Sequence, residues 1–192
     1  MDLFLQIWAG GFYLANKVLF ALSESKTAEI ERKFKLVAWS CYLIGVPAWL
    51  VILIGKNNWI ATSIEAGGIP AMLLGLYNVY HKNQKHNALF NHIVTICTYG
   101  SIVLGLGYSL LQHHGITSLS QILEMGVMIG FLLGSFYMAK NDKRGWLFFM
   151  LMNISMATLM FTQLKYILAA QQLLSLSFVI YGFTLASKKE SV

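Results

Sequence analysis

The chain has 192 residues, of which 57% are hydrophobic and only 11% charged, and its formal net charge is +6. Soluble domains carry about 25% charged residues, so this composition excludes an ordinary water-soluble domain and points to lipid as the solvent. The basic excess sits in short stretches between long uncharged runs, which excludes a nucleic-acid face as its explanation and makes it a matter of membrane topology.

About 18 or more apolar residues in a row mark a membrane span, because roughly 20 residues at 1.5 Å each cross the hydrocarbon core. Seven such runs occur, at residues 3–23, 36–54, 62–80, 88–111, 121–139, 146–162 and 167–186. They are continuous rather than alternating, and backbone in lipid must bond internally, so they predict helices. The joints are brief, which predicts a single membrane domain over residues 1–192.

The first run carries Asn16-Lys17 toward its far end, where Lys17 is expected to snorkel to the interface. The second holds Trp39, Cys41 and Pro47; the proline suits a hinge, although membrane helices also simply tolerate it. The third opens on an acid, Glu65, followed by Gly67, Gly68 and Pro70, a composition that permits a bend or a close helix approach. Glu65 either looks into a central cavity or stays wet at the interface. The fourth run holds Asn91-His92 and Cys97 and is followed by His113-His114, which point different ways and make a poor metal pair. In the sixth run Trp146, Phe149 and Asn153 are spaced to share one helical face. That face offers aromatic surface and an amide that can both donate and accept; a helix–helix hydrogen bond by Asn153 would use the same features. The seventh run carries Gln172 near its start and ends on Lys188 and Lys189.

Eleven of the 14 basic residues (Lys26, Arg32, Lys33, Lys35, Lys82, Lys85, Lys140, Lys143, Arg144, Lys188 and Lys189) fall on one face of a seven-span arrangement. By the positive-inside rule that face is cytoplasmic, with the N-terminus outside and the C-terminus inside. A shift of 107 positions lays Trp39 on Trp146, Glu65 on Gln172 and Gly75 on Gly182. This suggests two three-helix repeats, residues 3–80 and 121–186, joined by a linking helix at 88–111 that lets both run the same way. No hydrolytic, redox, phosphate-loop or metal-cluster motif occurs, so neither an enzyme nor a cofactor or metal is expected.

Seven spans in a 3+1+3 pattern resemble the PnuC family of bacterial vitamin transporters, relatives of the SWEET sugar carriers. The segment from Leu164 through Gln171-Gln172 to Tyr181-Gly182 and Lys188-Lys189 is similar to that family's closing helix, and Trp146 through Asn153-Ile-Ser155 resembles its sixth. The resemblance implies uptake of a small vitamin or nucleoside, of nicotinamide riboside or thiamine type, by facilitated diffusion with alternating access. It also implies a bacterial inner-membrane location. On it the family's pocket Asn falls on Asn153, its Trp on Phe149 and its third-helix Gln on Glu65, two departures that bear on the substrate. A Phe still offers a ring face for stacking, and an ionised Glu would favour a cationic ring.

The resulting expectation is an all-α integral membrane protein with a substrate site built from Asn153, Phe149, Trp146, Trp39, Glu65 and Gln172. Pro47, Pro70, Gly67 and Gly68 are the expected hinge positions. Its partners are a small molecule and the lipid bilayer, without nucleic acid; assembly into a homo-oligomer stays open. A SWEET-like sugar carrier and a non-transporting membrane scaffold are the alternatives.

Overall fold

The computed structural model describes residues 2–55, 59–82 and 87–190; Lys56 and Lys85 lie outside them, as do the side chains of Trp59 and Ile60. Among the described residues there are seven helices and no strand: α1 (Asp2–Ser23), α2 (Ala28–Gly55), α3 (Trp59–Tyr80), α4 (Ala88–Gln112), α5 (Leu119–Ala139), α6 (Arg144–Thr162) and α7 (Tyr166–Glu190). Each predicted run lies within its own helix. Six of them, all but α3, are long and apolar enough to cross a membrane. α3 matches α1 in length at 22 residues but does not reach that hydropathy over its described residues, which include Glu65, Pro70 and Asn78.

Helix α2 starts well before its apolar run. Glu29 and Glu31 occupy its first turn, where the helix dipole favours acids, and they pair one turn on with Lys33 at 3.2 Å and Lys35 at 2.7 Å. The charged turns therefore continue the helix past the greasy segment. Three helices end on the same device. His114, Asn141 and Leu164 adopt positive φ just past α4, α5 and α6. The next amide in each case, that of Gly115, Asp142 or Lys165, donates back to the carbonyl of Leu110, Tyr137 or Met160. This left-handed cap satisfies carbonyls that the helix end would leave orphaned and turns the chain back sharply. Gln121 secures the α4–α5 joint, donating to the Gly115 and Ser109 carbonyls and accepting from the Thr117 amide.

The helices α1, α2, α3, α5, α6 and α7 contact one another in that order, and α7 returns to α1. They form a ring of six, and α4 rests outside it against α3 and α5. Lipid tails are as apolar as side chains, so such helices associate by close packing, which small residues allow. Two contacts inside the ring depend on it. The Trp39 indole lies on Gly75 and the Trp146 indole lies on Gly182, each so close that a Cβ would collide with the ring.

Candidate functional site

At the end of the ring where most of the basic residues gather, a vestibule of about 860 Å³ opens between the helices. Its lip is ionic. Lys35 Nζ contacts Glu31 at 2.7 Å and Glu24 at 3.3 Å and donates to Asn141 Oδ1 at 2.9 Å. Lys189 Nζ reaches Glu31 at 2.8 Å and Glu24 at 3.5 Å. The cluster ties α1 and α2 to α7 and to the α5–α6 joint. In that joint Asp142 pairs with Arg144 at 2.6 Å, and the guanidinium holds the Asp142 carboxyl below its usual range.

Glu24 and Lys35 are both buried, so removing one alone leaves the other's charge short of a partner. Lys35→Met is expected to cost about 3 kcal/mol of stability, and Lys35→Met with Glu24→Leu much less. Thermal unfolding of both variants checks this; equal losses would show that the cluster carries no buried charge coupling.

Phe20, Trp39 and Trp146 line the inner end of the vestibule. From there a column of rings runs up through the bundle. Phe20 meets Trp39 edge-on at 5.0 Å, Trp39 stacks on Tyr42 at 6.1 Å, Tyr42 meets Tyr13 at 4.8 Å, and Tyr13 lies 6.0 Å from Trp49. Phe131 joins from α5, edge-on to Tyr42 at 6.1 Å. Tyr42 is further held by its hydroxyl, 3.3 Å from Ser135 Oγ.

Seven buried side-chain atoms have no hydrogen-bond partner among the described residues: Tyr13 Oη, Asn16 Oδ1, Lys17 Nζ, Trp49 Nε1, Glu65 Oε1, Asn153 Oδ1 and, on α4, Thr98 Oγ1. Buried polar groups are paired as a rule, and four of these seven, on Tyr13, Asn16, Lys17 and Trp49, belong to the two helices that carry most of the column.

Trp146, Phe149 and Asn153 all face inward and are at most 1% exposed. Asn153 spends its amide hydrogens within its own helix. Its Nδ2 donates at 2.7 Å to the Phe149 carbonyl of its own helix, and no helix–helix bond forms. Because a carbonyl can only accept, this fixes the amide orientation and leaves Oδ1 vacant. Glu65 is half-buried, one turn before Gly68, which packs against Phe131; its Oε1 is fully covered. Gln172 is half-buried, and the structure shows no hydrogen bond between it and Glu65.

The expected hinge positions, Pro47, Pro70, Gly67 and Gly68, all lie within helices. α2 and α3 continue as helix through Pro47 and Pro70, and Pro47 is exposed on the outer surface of the bundle. Gly67 and Gly68 are close-approach positions, toward Ser101 of α4 and Phe131 of α5.

Lys17 departs most from expectation. It does not snorkel: it is 2% exposed, and its ammonium lies 3.1 Å from the centre of the Phe149 ring and 4.6 Å from that of Tyr42. Sequence reasoning gave Tyr13 and Tyr42 no role in this region and placed Lys17 at the interface instead. A signal existed on α1, where Gly10, Tyr13, Lys17 and Phe20 recur at helical spacing on one stripe, three of them buried, and Glu24 just past the helix end continues it.

Compared with known proteins, the chain matches no family model, no curated protein and no solved structure.

Proposed function

We propose that the protein is a multi-pass transporter that takes up a small vitamin or nucleoside-like molecule, of nicotinamide riboside or thiamine type, by alternating access and facilitated diffusion. The observation that carries this reading is the aromatic column with its unpartnered polar atoms, reached from a vestibule that stops at Trp39 and Trp146. Rings supply stacking surface for a flat substrate, and the vacant Asn153 oxygen supplies an acceptor for a polar edge.

In this reading α3 is the seventh span, and α1–α3 and α5–α7 are parallel repeats joined by α4. The order of contacts supports it: pairing α1 with α5, α2 with α6 and α3 with α7 maps the ring onto itself. The Trp39–Gly75 and Trp146–Gly182 contacts are related by the same shift of 107. An axis along the membrane normal would then pass through the column, where the halves face each other. In this reading the positive-inside rule turns the vestibule to the cytoplasm, the PnuC resemblance makes the cell a bacterial one, and the conformation is inward-facing with its two tryptophans closed.

Uptake of radiolabelled thiamine and nicotinamide riboside into proteoliposomes tests the function. Saturable uptake of either supports it, whereas uptake of a sugar alone, or of nothing, sinks it. Glu65 is assigned to the cationic ring of the substrate. Glu65→Gln is expected to weaken thiamine binding about tenfold, the scale of one lost charge-assisted contact, while a neutral analogue binds as before. Calorimetric titration of the purified protein reads this, and unchanged thiamine affinity removes Glu65 from the site.

A further inference from the structure

The position of Lys17 has a consequence for what the column can bind. Its ammonium has no hydrogen bond and no ion pair among the described residues, and it is sealed from solvent. It rests over two ring faces, Phe149 closely and Tyr42 more distantly. Other cations in the protein also touch rings: Lys140 lies 4.1 Å from the Phe136 ring and Arg144 lies 4.5 Å from that of Tyr137, but both are exposed at the ends of their helices. Lys17 has no carboxylate or hydrogen-bond acceptor against it among the described residues, so the two ring faces are what stabilises its charge.

The surroundings are built for a positive group. The ring faces are the negative side of an aromatic quadrupole. The vacant side-chain atoms on the flanking turns are the oxygens of Asn16, next in the chain, and of Asn153, one turn from Phe149. An anion site would present donors instead; the unpartnered donors here besides Lys17, the Tyr13 hydroxyl and the Trp49 indole N–H, lie toward the far end of the column from Phe149, and Asn153's oxygen is an acceptor.

We propose that Phe149 and Tyr42 form a cation site whose resident occupant is the ammonium group of Lys17, and that an organic cation binds there only by displacing it. The inference rests on the transporter reading in taking the column as a ligand path. It adds that the side chain is a tethered competitor. In the described state the site is filled and closed under Trp39 and Trp146, and a positive ligand takes the ring faces as the lysine withdraws. A site open in only a fraction of molecules has its affinity reduced by that fraction, and removing the occupant restores it.

Three closely related pyridines isolate the charge: N-methylnicotinamide, methylated on the ring nitrogen, is a cation, nicotinamide is neutral and nicotinate is an anion. Calorimetric titration of the purified full chain and of Lys17→Met reads their affinities. The affinity for N-methylnicotinamide is expected to rise by roughly tenfold or more in the variant, and that for nicotinamide to stay within about twofold. Lys17→Gln, which keeps a polar end, guards against a folding defect and should give the same order. The proposal is overturned if both variants bind the cation no better than the native chain, or if it binds to none of them. It is equally overturned if the change is instead a loss of nicotinate binding, which would make Lys17 the partner of an anion. The transporter reading fails separately. A gain in cation binding with no uptake of thiamine, nicotinamide riboside or sugar by proteoliposomes removes that reading alone, and uptake without the gain removes the displacement alone.

Discussion

Gly182→Leu is expected to lower the thermal unfolding midpoint by roughly 10 °C, and Gly75→Leu to lower it by a similar amount. The reason is space. A Cβ at Gly182 would meet the six-membered ring of the Trp146 indole, and one at Gly75 would meet that of Trp39. Neither indole can yield easily, since each is only 1% exposed and fixed within the core. The cost is overpacking, about 3 kcal/mol for a side chain forced into a filled interior, and helix separation is the only relief. Gly107→Leu on α4 is the control. Nothing lies within 4 Å of the Cβ it would add, and leucine is the better helix former, so stability should hold or rise. Should Gly182→Leu unfold no earlier than Gly107→Leu, the indole–glycine contact does not hold α6 against α7. Equal losses at the two tryptophan sites would be what a pair of repeats requires, and a large loss at one alone would count against that pairing.

These two contacts also show what a sequence of this kind makes legible. The match of Trp39 to Trp146 and of Gly75 to Gly182 at a common shift could be read from the letters, but greasy sequences also match by chance, and that each tryptophan packs on its glycine could be seen only in three dimensions. Helix number was legible, as uninterrupted apolar runs have one backbone solution in lipid. The start of α2 was not, because hydropathy reports the lipid-buried part of a helix and Glu29 to Lys35 extend it by ion pairing instead. Lys17 was misread for a deeper reason. In a membrane helix, residues facing lipid and residues facing the bundle are both apolar, so composition does not reveal which way a side chain points. The rule that a lysine reaches the interface assumes a lipid-facing stem. On α1 the stem faces Phe149 and Tyr42, a fact set by neighbours more than 20 residues away in the chain. Glu65 lay between these cases. The sequence left open whether its carboxylate meets water or the interior, and the covered Oε1 beside the Gly68–Phe131 contact places that oxygen inside.

Asn153→Leu is expected to separate stability from transport. Asn153 is fully buried, its amide hydrogens are used on the Phe149 carbonyl, and its oxygen is left over. An unpaired buried acceptor costs a protein about 1–3 kcal/mol, and leucine, with the same branching but a larger volume, removes it at some cost in crowding. The Phe149 carbonyl keeps its place as an acceptor of the helix backbone, so the substitution creates no new orphan. The folded protein should therefore be about as stable as the native chain. Transport should move the other way. If Oδ1 receives a hydrogen bond from the substrate, its loss inside a dry site should lower uptake by roughly 10- to 100-fold, the range for removing one well-placed polar contact. A residue that merely joined helices would show the reverse, a lower unfolding midpoint with uptake per folded molecule preserved. Parallel measurement of the unfolding midpoint and of initial uptake in proteoliposomes distinguishes the two. Asn153→Asp sharpens it, because it keeps an oxygen but gives up the donor to Phe149: some uptake of a cationic substrate should survive at lower stability. The two variants thus bracket the amide, one testing its vacant oxygen and the other its committed nitrogen.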